Sequence, residues 1–92
     1  MECLLRYLSF KFRAAGGSTI VVTIDRAANV QLLDDANFRR YQRRAPFQYR
    51  GGHFTASPIA LTVPTSGIWH VVIDTGGRPG TVHATVELRP AA

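Results

Sequence analysis

His70, Asp74 and His83 are residue types that ligate metals or move protons, and they raise the question of chemistry first. If the last two strands form a hairpin with its loop at Thr75 to Gly80, Val72 faces His83, and His83 stands diagonal to both His70 and Asp74. Diagonal Cα pairs are about 7 to 8 Å apart, so a metal site there needs convergent rotamers and supporting hydrogen bonds that an exposed sheet face seldom supplies. His70 and Asp74 lie about 13 Å apart along one strand, too far for a hydrogen-bonded catalytic dyad. No Ser occupies a Gly-x-Ser-x-Gly elbow, and none of the pairs Gly16-Gly17, Gly51-Gly52 and Gly76-Gly77 opens a helix after a strand as a phosphate loop does. Cys3 reads as a small buried hydrophobe. These residues predict a protein that is not an enzyme and has no cofactor, with His70, Asp74 and His83 as the single metal arrangement worth testing.

The charge is more informative. Arg39, Arg40, Arg43, Arg44 and Arg50 lie between residues 36 and 50 with no Asp or Glu among them, while the rest of the chain balances six bases with six acids. On a helix the first four fall within an arc of roughly 140°, with Phe38 and Tyr41 opposite. Like charges at i and i+4 repel, and no acid within the segment offsets them. A solvated helix face is the plain explanation; the functional one is a partner that supplies the missing anions, because arginine clusters bind carboxylates and phosphates through charge-assisted bonds. An acidic protein surface is the expected partner, met by the arginines and by the strand end from Tyr49 to His53. A nucleic acid or an anionic membrane is the alternative, the former favoured by Tyr41, Phe47 and Tyr49 interleaving with the arginines. A carbohydrate or other ligand held by exposed aromatics such as Tyr49 and Phe54 is a further one.

The elements that position these residues are mostly strands. Apolar residues recur at spacing two between Gly and Pro punctuation, which places strands at about 3 to 12, 18 to 25, 29 to 34, 47 to 54, 58 to 63, 68 to 74 and 81 to 88. Ile20, Val22 and Ile24 share one face of the second. The period turns helical from about Ala36 to Arg44, with Asp35 as the expected cap, Asp34 bonding the turn backbone and Pro46 as the stop. In the last hairpin Trp69, Val71, Ile73, Val82, Ala84, Val86 and Leu88 face inward, and His70, Asp74, Thr81, His83, Thr85 and Glu87 face out. About seven or eight short strands with one short helical insert predict a single antiparallel β-sandwich, jelly-roll-like, over residues 1 to 92.

The 92 residues, with 46% hydrophobic content and a formal charge of +5, fit one thin-cored domain. One cysteine excludes an internal disulfide framework. The opening residues lack the basic region of a secretory signal, and no apolar run approaches the roughly 20 residues that span a bilayer, so the expected location is the cytoplasm. Free sheet edges leave room for a homodimer.

Ala28-Asn29-Val30-Gln31-Leu32-Leu33-Asp34, then Asn37-Phe38 and Tyr41, then Tyr49-Arg50-Gly51-Gly52-His53, Ser57-Pro58, Val63-Pro64 and Trp69-His70-Val71-Val72-Ile73-Asp74, with Gly76-Gly77 and Gly80, occur in an order that resembles a bacterial family, Domain of Unknown Function 1883. The resemblance covers about residues 18 to 88 and implies a compact β-sandwich with no assigned activity. The layout also looks like jelly-roll interaction domains of the Golgi-dynamics type, an analogy of fold that does not extend to function.

Overall fold

A computed structural model describes residues 7–76 and 82–91. Seven strands and one helix follow in the order β1 (Leu8–Ala14), β2 (Thr19–Ile24), β3 (Ala28–Asp34), α1 (Asp35–Gln42), β4 (Arg50–Phe54), β5 (Ile59–Thr62), β6 (Gly67–Asp74) and β7 (Ala84–Arg89). They make two antiparallel sheets, one of order β1-β6-β3-β4 and one of order β5-β2-β7, as expected of a mostly β sandwich. The chain changes sheet at every connection except the one from β3 to β4, which the helix spans.

The core lies between the sheets. Ile20, Val22 and Ile24 from β2 meet Val30 and Leu32 from β3 and Trp69, Val71 and Ile73 from β6, with Val82 also buried and Ala84 and Val86 packed against them. The alternation in β2, β6 and β7 therefore assigns the inward residues correctly except Leu88, which is expected inside and is exposed near the end of β7.

The expected hairpin between the last two strands does not form. β6 pairs with β1 and β3, whereas β7 pairs with β2 in the other sheet. Their apolar faces meet across the sandwich instead of lying side by side. Trp69 to Ile73 is buried at every position, which belongs to a central strand covered on both faces rather than to one with a solvated side. The second cover is the helix. Leu33, Val72 and Tyr41 form a smaller cluster on the outer face of the four-stranded sheet, joined by Tyr7, Phe38 and Phe47.

Local chemistry explains the helix ends. Asp34, not Asp35, is the N-cap: its carboxylate accepts from the Asn37 N–H at 2.8 Å. At the far end Arg43 caps, Arg44 takes a left-handed conformation at φ 60°, and the Ala45 and Arg44 N–H groups donate back to the Arg40 and Tyr41 carbonyls. These bonds are those of a Schellman turn, with an arginine where glycine is usual. The helix thus stops at Gln42, two residues earlier than expected.

β4 begins only at Arg50, so residues 47 to 49 lie outside the strand predicted there. Gly51 is required by close approach: at φ 122° a Cβ would lie 2.1 Å from the Val30 carbonyl oxygen. The N-terminal part of the first expected strand, with Cys3, lies outside the described residues, as do Gly77, Gly80 and Thr81.

Candidate functional interface

His70, Asp74 and His83 do not come together. His70 points to the outer face of the four-stranded sheet and is 4% exposed, closed over by Phe38, whose ring stacks on the imidazole at 4.0 Å and 10°. Its Nε2 bonds Asp35 Oδ1 at 2.9 Å, and Asp35 Oδ2 holds Arg39 at 3.0 Å. The hydrogen bond to His70 is the main reason the Asp35 carboxyl titrates below its ordinary range, with Arg39 and Lys11 acting in the same direction. Asp35 is thus the acid that offsets one arginine of the helix.

Asp74 is the centre of a second network. Its Oδ1 accepts from Asn29 Nδ2 at 2.8 Å and from the Gly76 N–H at 2.9 Å, and its Oδ2 accepts from the Tyr41 hydroxyl at 2.7 Å. Burial and this carboxylate push the Tyr41 phenol above its usual value. Asn29 Oδ1 then meets His53 Nδ1 at 3.2 Å, so the exposed His53 continues the chain of polar contacts.

His83 lies just before β7 of the other sheet, where its N–H donates to Asp25 Oδ1 at 2.8 Å. The three-residue metal arrangement fails because it relied on a hairpin that is absent. Among the described residues no three His, Cys, Asp or Glu side chains gather as a metal set.

All five arginines are exposed. They do not share a single helical face, because only Arg39 and Arg40 are within α1; Arg43 and Arg44 follow the turn at its end and Arg50 opens β4. Among the described residues, Arg40, Arg43 and Arg50 have no ion pair or side-chain hydrogen bond, while Arg39 is held by Asp35. Two arginines sit in the last helical turn, where the exposed carbonyls favour cations.

The aromatics interleaved with them are not a platform for bases. Tyr41 is buried and hydrogen-bonded, and Phe47 packs against it edge to face at 5.3 Å. Tyr49 alone is open, at 48% exposure. Phe54, the other aromatic expected to meet a ligand, packs against the core.

Register places one more feature that the sequence reading missed. Arg50 lies opposite Leu32 across the β3–β4 ladder, and Asp34 lies opposite Trp69 across the β3–β6 ladder. Residues directly opposite in a sheet share a face, so Arg50 and Asp34 stand on the same side as the core residues Leu32 and Trp69, at the end of the sandwich where β3 gives way to α1. There a cleft of about 330 Å³ is lined by Leu32, Asp34, Asn37, Gln48, Tyr49, Arg50, Pro64 and Trp69. Asn37 ties its rim together, accepting from the Gln48 N–H at 2.9 Å and donating to Asp34 at 3.0 Å. The Trp69 indole N–H is spent on the Thr65 carbonyl at 2.8 Å.

A family model described as Domain of unknown function (DUF1883) matches residues 5–92. No curated protein and no solved structure matches the chain. No helix among the described residues is long and apolar enough to cross a membrane.

Proposed function

This chain belongs to the DUF1883 family, and from that premise we propose that it is a non-enzymatic interaction module that docks an acidic protein. The docking surface runs from the last turn of α1 through Arg43 to the start of β4. The observation that carries the reading is that Arg40, Arg43 and Arg50 are each exposed and that none of them has an ion pair among the described residues. A partner with discrete carboxylates supplies charge-assisted bonds at these points.

The same surface favours protein over single-stranded nucleic acid. Base stacking needs several open rings, and here Tyr41 and Phe47 are committed to packing, which leaves Tyr49. Asp34 and Asp35 at the start of the helix, the former a diagonal neighbour of Arg50, would also repel a continuous phosphate backbone. At the edge strands β1 and β7 the exposed Lys11, Arg13, Glu87 and Arg89 disfavour pairing with a second copy, which leaves the other two edges, β4 and β5, for a homodimer. Nothing in the reading requires a compartment other than the cytoplasm.

The test is binding of poly-glutamate, single-stranded DNA and anionic vesicles to the purified protein across a salt series. The expected result is poly-glutamate binding that weakens as salt screens it and is lost in the triple variant Arg40→Glu, Arg43→Glu, Arg50→Glu. Absence of poly-glutamate binding at low salt, or equal retention by the triple variant, overturns the proposal. Preference for DNA or vesicles replaces it with the polyanion reading.

A further inference from the structure

We propose that the cleft at the β3–α1 end of the sandwich binds a uronic acid, a sugar-sized ring carrying hydroxyls and one carboxylate. This site is separate from the docking surface in what it recognises, although Arg50 borders both.

The argument begins with size and shape. A cleft of about 330 Å³ lies at the small end of ligand pockets, and buried apolar residues, Leu32 and Trp69, contribute to its lining. Its polar groups are of both signs. Arg50 and Asp34 are diagonal neighbours across the β3–β4 ladder, about 7 to 8 Å apart at Cα by sheet geometry, yet they form no ion pair. Asp34 Oδ1 is occupied by Asn37, which leaves Oδ2 as an acceptor. The Arg50 guanidinium has no acidic partner among the described residues.

A ligand that satisfies this pair must bring an anion for Arg50 and a hydrogen-bond donor for Asp34. Phosphate brings the first and is repelled by the second. A hydroxyl both donates and accepts, so it suits a rim of Asp34 and the Gln48 amide better than an ammonium does. The half-exposed Tyr49 ring supplies an apolar surface of the kind on which a sugar ring packs. Carboxylate, hydroxyls and one apolar ring face together describe a uronic acid.

Trp69 is the single tryptophan of the chain and lines the cleft, so its fluorescence reports occupancy. The protein is titrated with glucuronate, galacturonate, glucose, glutamate and inorganic phosphate, and the uronate titrations are repeated with three variants. The expected result is a saturable Trp69 response to at least one uronate, with glucose at least about 10-fold weaker, the equivalent of about 1.4 kcal/mol for the carboxylate. Glutamate and phosphate give no response. Arg50→Ala and Tyr49→Ala each weaken uronate binding by about 10-fold, the scale of one charge-assisted bond or one stacked ring. The double variant Arg40→Glu, Arg43→Glu binds uronate as the parent does, which separates this site from the acidic-protein surface. No response to either uronate overturns the proposal, as does glucose, glutamate or phosphate binding as tightly as the uronate. Full retention of binding in both Arg50→Ala and Tyr49→Ala overturns it too.

Discussion

Arg50 stands directly opposite Leu32 in the β3–β4 ladder, so a guanidinium occupies the same face of the sheet as a fully buried leucine. The inner face of the sandwich, apolar along most of β3, thereby ends in a charge. That charge lines the cleft at the β3–α1 end of the sandwich.

Replacing Tyr41 with Phe tests the clamp between helix and sheet. The hydroxyl donates to Asp74 Oδ2 at 2.7 Å from a buried position, and bonds to charged acceptors contribute about 1.5 to 3 kcal/mol. Urea unfolding of Tyr41→Phe is expected to show a loss within that range, with the slope unchanged.

The same phenol sets an alkaline limit. Its pKa in the folded protein is raised above the ordinary 10.0, so its contribution to stability is complete below pH 10.0 and declines as pH rises beyond that value. The stability of Tyr41→Phe, compared with the parent at successive alkaline pH values, is expected to fall less steeply above that point.

Asp35 has the opposite sign. Its folded-state pKa is lowered from 3.8, chiefly by the hydrogen bond with His70, so its contribution is present above pH 3.8 and is lost as pH falls through the folded value. Asp35→Asn is expected to remove this part of the acid dependence. Replacing His70 with Asn should move the Asp35 titration, followed by carboxyl NMR, back toward 3.8.

Gly51→Ala is expected to be among the costliest single changes on the surface. The new Cβ would lie 2.1 Å from the Val30 carbonyl oxygen at φ 122°, so β4 must shift or detach from β3. A loss of about 2 to 3 kcal/mol follows from strain of this kind. Gly52→Ala is the control, since nothing lies within 4 Å of the position its Cβ would take.

What could be read from the sequence divides along physical lines. Period-two alternation reports which face of a strand is buried, and it assigns Ile20, Val22 and Ile24, Trp69, Val71 and Ile73, and Val86 to the interior. It does not report which strand lies alongside, and so β6 and β7 read as a hairpin when they belong to opposite sheets. The burial of both faces of β6 was not read, because alternation put His70 on a solvated face, and it is the helix, packed over His70 and Val72, that closes that face. Asp34 and Asp35 could each cap a helix; what separates them is the tertiary bond from Asp35 to His70. The arginine cluster was legible by composition, but its shape was not, because the Schellman turn at Arg44 ends the helix without a glycine. The cleft was hidden because Asp34, Arg50 and Trp69 become neighbours only through ladder register.

The most direct test of the docking surface is an amide NMR titration of the intact protein with a poly-glutamate peptide at low salt. The account predicts that the largest shifts fall on residues 39 to 50, spanning the end of α1 and the start of β4, and that they reverse as salt is raised. Shifts centred instead on β2 and β7, or no shifts at all, would contradict it.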